Sequence, residues 1–373
     1  MKKIVYFSHG LSANGIETFL VNVLEKLDKS KYDVTVVIGI DEGVGCLHEK
    51  RVLDMGVRVY HAGDLDSVKK KFAYIKNVKD FLENGNFDIA HSNMDLLNGI
   101  TLYLAKKAGI SKRICHAHNS KSQYKPVGFL SFVKKILQKL YYFVMRKSIL
   151  ISSTDLIACS DVAGEYFYGS RDSSLIYNGI RTENFVMPDS FNVQEYSVSV
   201  GFAGEEKHRL VSVGRISMQK NPIFALEIIS ELKKIRNDFR YLWVGAGELE
   251  SEVRAKITEL GIEDTVILAG VRTDIPQILG CCDCFLMPSL FEGLPFSLVE
   301  AQAANLKCVV SDVVTQTADI GLITYVSLDK SAAQWAEEVN RVLDGPLPQK
   351  NEEKAKLFDI TNTVRQLEEI YDK

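Results

Sequence analysis

The segment from Cys284 to Glu300 reads CFLMPSLFEGLPFSLVE and joins a predicted strand to a predicted helix. Its apolar start, which ends at Met287, has the length of a buried strand, and Pro295 suits the first turn of a helix. Free N–H groups and the positive dipole end of that helix attract an anion. The segment therefore predicts an α/β unit whose polar loop, with Glu292, lies at the carboxyl end of a strand.

The same alternation of short apolar runs with helix-length segments extends along most of the 373 residues. It predicts parallel β-α-β units. The alternation pauses in the polar stretch 181–207, so we predict two Rossmann-like domains with parallel sheets, joined by a linker region. Because ligands of open parallel sheets bind at the carboxyl ends of the strands, we expect the sheets to face a central cleft. The predicted strands are Ile4–Ser8, Val34–Gly39, Val57–His61, Phe87–His91, Ile114–His118, Leu156–Ser160, Leu210–Val213, Tyr241–Val244, Val266–Ala269, Cys284–Met287 and Cys308–Ser311.

The domain boundaries follow from this pattern. Residues 1–180 form the first domain, and residues 181–351 form the linker and the second domain. Residues 352–373 form an amphipathic helix that is expected to pack back on the first domain. Other predicted helices are Thr18–Leu27, Val68–Glu83 and Leu97–Ala108.

A second strand end carries two bases. The strand before Gly214 is followed by Arg215 and then Lys220. A glycine lets the backbone approach a ligand, while Arg and Lys are suited to phosphate oxygens. Together they are candidates for holding a diphosphate and stabilising it as a leaving group. The alternative is a pair of solvated charges in a loop.

Glu292 and Glu300 place two carboxylates around one helix start. The neighbours of Glu300 are apolar, which indicates a buried face, and a buried carboxylate needs a partner. Hydroxyl groups of a ligand are suitable partners. The alternative is an ordinary surface glutamate on a helix.

Three motifs in this order resemble the family-4 retaining glycosyltransferases, which have the GT-B architecture of two Rossmann-like domains. They are Asn178-Gly-Ile180, Gly214-Arg-x4-Lys-Asn221 and Glu292-x7-Glu300. The resemblance extends over nearly the whole chain. It implies an N-terminal acceptor-binding domain and a C-terminal domain that binds a nucleotide sugar.

The resemblance also implies roles for single residues. Arg215 and Lys220 would grip the donor diphosphate beside Gly214, and Glu300 would bind the ribose. Glu292 and the segment after it would contact the donor sugar and phosphates, and Arg272 would lie near the base. The residues assigned as catalytic are His118, Arg215, Lys220 and Glu292; those assigned to the donor are Gly15, Gly214, Arg215, Lys220, Arg272, Glu292, Gly293, Leu294, Phe296 and Glu300.

In the first domain, Gly15 lies where the family has a Gly-Gly-x-Glu segment, although this chain has Asn14 in place of the first glycine. His116 and His118 end another strand and point to the same face. The resemblance favours His118 as the histidine beside the donor sugar, where it could orient the sugar or take a proton. The alternative is a structural histidine pair, and the sequence does not decide which of the two faces the donor.

A basic amphipathic helix is predicted at residues 128–148. The chain has no Asp or Glu from Leu96 to Thr154, although this stretch contains eleven Lys and Arg residues. Such a helix favours an anionic membrane surface, and the alternative is a core helix with a basic solvated face. No apolar stretch is long enough to span a membrane, and no nucleic-acid motif is present. We therefore expect a cytoplasmic protein, peripheral at the inner face of the membrane.

The expected reaction transfers a hexose or N-acetylhexosamine from a nucleotide diphosphate sugar, with UDP as the expected nucleotide, to a lipid-linked saccharide in capsule or exopolysaccharide synthesis. No cofactor or metal is expected, because bases and a helix end neutralise the diphosphate. Asp64-Leu-Asp66 resembles a metal motif, but Asp66 or Ser67 as a helix cap is the preferred interpretation. The cysteines at 281, 282 and 284 are interpreted as buried packing rather than a zinc site. The alternatives are a GT-B sugar-nucleotide epimerase or hydrolase, and a non-catalytic partner subunit of a glycosyltransferase complex. A Rossmann dehydrogenase is disfavoured because Gly245-Ala-Gly247 lacks the third glycine.

Overall fold

The computed structural model describes residues 1–12, 15–44, 46–118 and 131–373, with the backbone alone at 131–135. The chain folds into two compact units. Unit 1 comprises Met1–Gly179 together with Ile360–Lys373, and unit 2 comprises Ile180–Asp359.

Unit 1 contains a parallel sheet that has seven strands in the described residues, in the order β3-β2-β1-β4-β5-β6-β7. The order reverses between β1 and β4, which pair side by side. The strands are β1 (Lys2–Ser8), β2 (Tyr32–Ile38), β3 (Arg58–His61), β4 (Ile89–Ser92), β5 (Lys112–Ala117), β6 (Asp155–Ala158) and β7 (Ser174–Leu175).

Helices connect these strands. Ser67 caps the third helix, because its side chain accepts a hydrogen bond from the backbone N–H of Lys70. The predicted helix-cap interpretation of this segment is thus confirmed for Ser67. The helices are α1 (Gly15–Lys26), α2 (Glu49–Asp54), α3 (Val68–Asn84), α4 (Asn98–Lys107), α5 (Ser131–Ser152) and α6 (Asp161–Tyr168).

Unit 2 repeats the topology with six strands in its parallel sheet, in the order β10-β9-β8-β11-β12-β13. Here the reversal lies between β8 and β11. The strands are β8 (His208–Val213), β9 (Phe239–Val244), β10 (Val266–Gly270), β11 (Cys284–Met287), β12 (Lys307–Ser311) and β13 (Ile323–Val326).

The stretch 181–207 is part of unit 2 rather than an irregular linker, which corrects the prediction. It contains a short 3-10 turn and a helix, and Tyr196 in that helix donates a hydrogen bond to Asp274. Phe185 and Phe202 are buried, so apolar burial holds this polar stretch in place. The helices of unit 2 are α7 (Val193–Ser199), α8 (Pro222–Ile235), α9 (Glu250–Leu260), α10 (Ile275–Gly280), α11 (Phe296–Ala303), α12 (Ala332–Asp344) and α13 (Glu352–Ala355).

The last helix, α14 (Ile360–Asp372), returns to unit 1. Its Tyr371 is buried, and the hydroxyl of Tyr32 donates to Asp372 at 2.9 Å. The single helix predicted from residue 352 is wrong in its first part, because α13 and a 3-10 turn end at buried Phe358 in unit 2. The chain crosses between the units at residues 179–180 and 359–360.

The cores explain why the strands read as continuous apolar runs. Ile4, Val5 and Phe7 in β1 are fully buried, and so are Phe285 and Leu286 in β11. Parallel strands covered by helices on both faces are expected to be apolar at every position. The sequence missed only β7 and β13 among the strands of the described residues. β7 is two residues long, and β13 is partly exposed at a sheet edge.

Candidate active site

The predicted donor residues of unit 2 lie at the reversal point of its sheet. Arg215 follows β8, and Glu292 follows β11, the strand next to β8. In open parallel sheets the loops that leave the two central strands diverge here and form a crevice for a ligand. The topology therefore brings two segments that lie far apart in sequence to one sheet edge.

Lys220 and Glu292 form an ion pair at this edge. Lys220 Nζ lies 2.7 Å from Glu292 Oε1, and their side chains are only 17% and 6% exposed. Gln219 donates a hydrogen bond of 3.2 Å to the other oxygen of Glu292. Both oxygens of this carboxylate therefore have partners, and Lys220 is a cation held in place rather than a mobile surface charge.

Steric crowding explains why the residue that follows β8 is a glycine. The side chain of Lys220 crosses directly over Gly214, where a Cβ atom would lie 2.9 Å from Lys220 Cε. Gly214 also has a φ of +153°, which side chains disfavour. The following loop is equally tight, since a Cβ on Gly245 would lie 2.2 Å from the carbonyl oxygen of Gly214.

Arg215 points toward solvent and pairs with Glu248 in the loop after β9. The Arg215 Nε to Glu248 Oε2 distance is 3.0 Å, and the two side chains are 72% and 53% exposed. An ion pair this exposed is weak, so Arg215 can leave it to bind a stronger anion. The guanidinium is thus available at the same edge as Lys220.

Glu300 lies in the second turn of α11. Its carboxylate makes no hydrogen bond or ion pair within residues 1–12, 15–44, 46–118 and 131–373. Burial raises the pKa of Glu300 to about 7. A partly enclosed carboxylate without a protein partner is a site where ligand hydroxyls can donate hydrogen bonds.

Gly293, Leu294 and Phe296 form the turn that leads into α11. Pro295 is the N-cap residue and Leu294 is buried, so the backbone of this turn is anchored. Arg272 differs from the other predicted donor residues. It follows β10, which β9 separates from β8, and its Nε donates to Asp274 at 2.9 Å. The structure therefore joins Arg272 to Asp274 and Tyr196, not to the Lys220–Glu292 pair.

The sheet edge of unit 1 holds neutral groups instead. His118 follows β5 and is buried, with Nδ1 3.0 Å from Asn178 Oδ1 and Nε2 2.8 Å from Asn93 Oδ1. Burial lowers the pKa of His118 to about 4, so the ring is neutral at pH 7. A neutral imidazole carries one N–H group, so the ring donates a hydrogen bond to one of these two amide oxygens.

His116 belongs to the core of unit 1. It is fully buried, and its ring stacks on that of His118 with centroids 4.1 Å apart. His91 links it to the last helix, since His91 Nε2 lies 3.2 Å from His116 Nδ1 and His91 Nδ1 lies 2.7 Å from the Tyr371 hydroxyl. Both histidines face the same way, as predicted, and His118 lies nearer the surface.

Comparisons with known proteins agree with this geometry. The family described as "Glycosyltransferase Family 4" matches residues 13–184, and the one described as "Glycosyl transferases group 1" matches residues 207–345. The chain belongs to these glycosyltransferases.

Similar proteins include EpsF of Bacillus subtilis (strain 168), which is named as a glycosyltransferase and is 29% identical over 385 residues, covering 100% of this chain and 96% of the relative. The UDP-Gal:alpha-D-GlcNAc-diphosphoundecaprenol alpha-1,3-galactosyltransferase of Escherichia coli is 24% identical, covering 80% of this chain and 76% of that one. The crystal structure of Anabaena Alr3699/HepE in complex with UDP and glucose matches with a TM-score of 0.80 at 16% identity over 100% of both chains. The fold is therefore GT-B.

Within this glycosyltransferase the sequence missed three supporting residues. Asn93 and Asn178 hold His118, and Gln219 holds Glu292. Asn178 carries a usable signal, because it opens the Asn-Gly-Ile motif, and Asn93 directly follows a strand at the reversal point. Gly15 begins α1, whereas Asn14 and Asn119 lie outside the described residues.

The segments that resemble metal or membrane sites have other roles or none of these features. In the part of the chain that is described, no group of three or more His, Cys, Asp or Glu side chains is arranged to hold a metal ion. Asp64 instead accepts hydrogen bonds from Lys70 and from the backbone of Asp66. Cys281 and Cys284 are buried, as predicted, and Cys282 is partly exposed. Among the described residues, no helix has the length and apolar character needed to cross a bilayer.

Proposed function

We propose that this protein transfers a hexose or N-acetylhexosamine from a UDP-sugar to a lipid-linked saccharide, with retention at the anomeric carbon, during assembly of a surface polysaccharide. The proposal depends mainly on the sheet edge of unit 2. There Lys220 is a cation held by an ion pair, and Glu300 is a carboxylate that has no protein partner among the described residues. Relatives named for transfer to diphosphoundecaprenol-linked sugars and for capsule synthesis support the acceptor class.

Unit 2 holds the donor in this proposal. Lys220 and Arg215 bind the diphosphate and stabilise the charge that grows on it as the bond to the sugar breaks. Glu300 accepts hydrogen bonds from the ribose hydroxyls. Glu292 and the turn at Gly293, Leu294 and Phe296 contact the sugar and the phosphates, and Arg272 lies toward the base.

Unit 1 receives the acceptor. The neutral ring of His118 exchanges its contact with Asn93 or Asn178 for one to a substrate hydroxyl group and orients it. Gly15, at the start of α1, lies beside the donor phosphate in this proposal. The bond between the anomeric carbon and the diphosphate oxygen breaks as the acceptor oxygen forms its bond on the same face. The proton of the acceptor hydroxyl passes to the departing diphosphate, so no protein nucleophile is required. Lys220 and Arg215 neutralise the diphosphate without a metal ion.

In this proposal the protein binds the membrane through the basic helix α5. The described part of α5 exposes an apolar face, and Lys139, Arg146 and Lys147 lie on the same helix; residues 128–130 of the predicted segment lie outside the described residues. Amphipathic helices of this kind bind anionic membrane surfaces, with about 1 kcal/mol contributed by each nearby base. The protein is thus proposed to act as a peripheral protein at the inner face of the membrane. The exposed apolar side chains are Ile136, Leu137, Leu140, Tyr141, Phe143 and Val144.

The decisive experiment incubates the purified chain with UDP-glucose, UDP-galactose or their N-acetyl forms and a polyprenyl-diphosphate-linked sugar. We expect one donor to give a product whose anomeric configuration, measured by NMR, matches that of the donor. An inverted product would refute retention. Donor turnover without any transfer would instead support a hydrolase or epimerase, and no donor turnover would support a non-catalytic subunit.

A further inference from the structure

An apolar groove crosses the surface of unit 1 between α3 and α4. It has a volume of about 320 Å³, which is at the small end of the range for ligand pockets. Leu65, Val68, Phe72 and Ile75 line one side, and Leu97 and Ile100 line the other. Tyr141 of α5 also lines the groove.

The apolar side chains at the mouth of the groove are unusually open to solvent. Val68 is 72% exposed and Phe72 is 70% exposed, although both belong to a regular helix. Tyr141 belongs both to the groove and to the exposed apolar face of α5. Contiguous exposed apolar surface of this kind marks a binding site for an apolar partner.

The floor of the groove contacts the loop that holds His118. The hydroxyl of Thr101 lies 2.8 Å from that of Ser92, and the hydroxyl of Tyr74 donates to the sulfur of Met94 at 3.1 Å. Ser92 and Met94 flank Asn93, whose side chain lies 2.8 Å from His118 Nε2. The floor of the groove is therefore joined by two side-chain contacts to the residues on either side of Asn93.

The residues that line the groove include one lysine. Lys71 lines the groove, and none of the ion pairs between described residues involves it, whereas the adjacent Lys70 pairs with Asp64. Lys71 is close enough to act on His9 in the loop after β1. Burial lowers the pKa of His9, Asp95 raises it and Lys71 lowers it further. Lys71 thus contributes positive charge to the electrostatic environment of His9, which follows β1.

The chemistry of this surface selects one kind of occupant. A peptide would bring backbone N–H and C=O groups that need partners, but the hydroxyl groups of Thr101 and Tyr74 at the groove are already engaged. A branched hydrocarbon needs no hydrogen bonds, and an anionic end group would meet Lys71.

We propose that the groove between α3 and α4 binds the isoprenoid units next to the diphosphate of the lipid-linked acceptor, and that Lys71 contacts that diphosphate. This inference rests on the proposed function for the identity of the acceptor. It assigns to unit 1 a binding site for the lipid itself, separate from the membrane contact of α5.

The test uses a farnesyl diphosphate that carries a photoreactive diazirine at its far end, and mass spectrometry of the labelled protein. We expect labels on residues 65–75 and 97–101. Ile100→Trp, which fills the groove, should reduce labelling about tenfold, an effect of the size that one or two methylene groups have in an apolar pocket. Tyr103→Trp is the matched control, because Tyr103 lies on the same helix with its side chain exposed outside the groove, and it should leave labelling unchanged.

A second form of the probe, a neutral alcohol without the diphosphate, tests whether Lys71 recognises the negative charge. Lys71→Ala should weaken labelling by the diphosphate but not by the alcohol, and Lys76→Ala on the same helix should affect neither. Labels confined to α5, or equal labelling of Ile100→Trp and Tyr103→Trp, would overturn the proposal. A change of mass on size-exclusion chromatography for Ile100→Trp without labelling would identify the groove as a contact between copies and would also overturn it. Because the probe carries no sugar, labelling reports the groove even where the transferase assay fails.

Discussion

The two sheets share one strand order, yet their carboxyl edges carry opposite kinds of polar group. In unit 2 the reversal point holds Lys220, Glu292 and Arg215, all of which are charged. In unit 1 the corresponding edge holds His118 between Asn93 and Asn178, and burial keeps the histidine neutral at pH 7. Topology alone therefore fixes where a ligand binds, whereas the side chains at the strand ends decide what is bound.

In the proposed mechanism this difference also separates the roles of the two units. A diphosphate that leaves with its electron pair needs fixed positive charge, which a buried ion pair can supply at a well-defined position. Sugar and acceptor hydroxyls need directional hydrogen bonds without net charge, which the neutral imidazole can supply when a hydroxyl replaces one of its two carboxamide partners. The following changes test whether the charged edge and the neutral edge have these separate roles.

Removal of the Lys220 charge is expected to have the largest effect. Lys220→Met should lower kcat/KM for transfer by about 100- to 1000-fold, the range for loss of one electrostatic contact in a transition state. It also leaves Glu292 buried without its cation, so Tm should fall.

The double variant Lys220→Met/Glu292→Gln separates these two effects. It removes both charges, so we expect Tm to recover while activity stays low. Recovery of both Tm and kcat/KM would show that Lys220 is a structural residue only. Arg215→Ala provides a second reference for the change in Tm, which should be small because the exposed ion pair of Arg215 with Glu248 contributes little to stability.

Glu300→Gln should have the next largest effect. Its carboxylate is expected to accept hydrogen bonds from ribose, so Kd for UDP should rise about tenfold, as measured by calorimetry. Glu252→Gln is the control, since Glu252 is an exposed carboxylate on α9 of the same unit. An unchanged Kd in Glu300→Gln would refute the ribose assignment.

The pH dependence of the same carboxylate gives a separate measurement. Burial raises the pKa of Glu300 to about 7, so the charged acceptor forms as the pH rises through that value. UDP affinity should therefore increase from about pH 6 to about pH 8. The contribution of Glu300 to the free energy of unfolding has the opposite trend: it is greatest at low pH and falls as the pH rises toward 7, because the folded protein binds this proton more tightly. Both trends should flatten in Glu300→Gln, and a UDP affinity with the same pH slope in that variant would assign the slope to another group.

The fold was predictable because local pattern and tertiary burial agree. The eleven apolar runs predicted as strands are all strands in the structure, because strands of a parallel sheet that helices cover on both faces are apolar at nearly every position. The errors lie where local pattern and packing disagree. Residues 181–207 read as a polar linker, but Phe185 and Phe202 anchor them to unit 2. The final helical pattern hid a break after Phe358, because burial of that residue outweighs the helical periodicity around it.

The sequence predicted which residues belong to the candidate site, but not which of them contact one another. Strand ends and motifs identified Lys220, Glu292 and His118. Their partners are 72 and 60 residues away in the chain for Lys220 and His118, so no local pattern predicts these contacts. For the same reason the sequence did not show that His118 has both ring nitrogens engaged. The pair of Arg272 with Asp274 is local, but its separation from Lys220 depends on the strand order, in which β9 lies between β10 and β8.

His118→Asn tests the neutral edge and should have a smaller effect than Lys220→Met and one no larger than that of Glu300→Gln. We expect kcat to fall about tenfold through the loss of one or two hydrogen bonds, with a small change in KM for the donor. Because the pKa of the ring is lowered to about 4, the wild-type rate should show no inflection from His118 near neutral pH. His116→Asn is the structural reference, and it should lower Tm more than kcat since His116 lies inside the stacked histidine core. An equal loss of kcat in both variants would mean that His118 acts only through packing.

Removal of divalent metal ions is expected to have the smallest effect. If Lys220 and Arg215 neutralise the diphosphate, kcat measured in excess EDTA should stay within about twofold of the rate with added magnesium, since the Lewis acid is not part of the step. Asp66→Ala should behave in the same way, because the neighbouring Asp64 is already bound to Lys70 and Ser67 caps α3. Complete loss of turnover in EDTA, restored by magnesium, would show that the charged edge of unit 2 needs a metal ion. The contrast between a charged and a neutral sheet edge would then have to include that ion as the main positive charge.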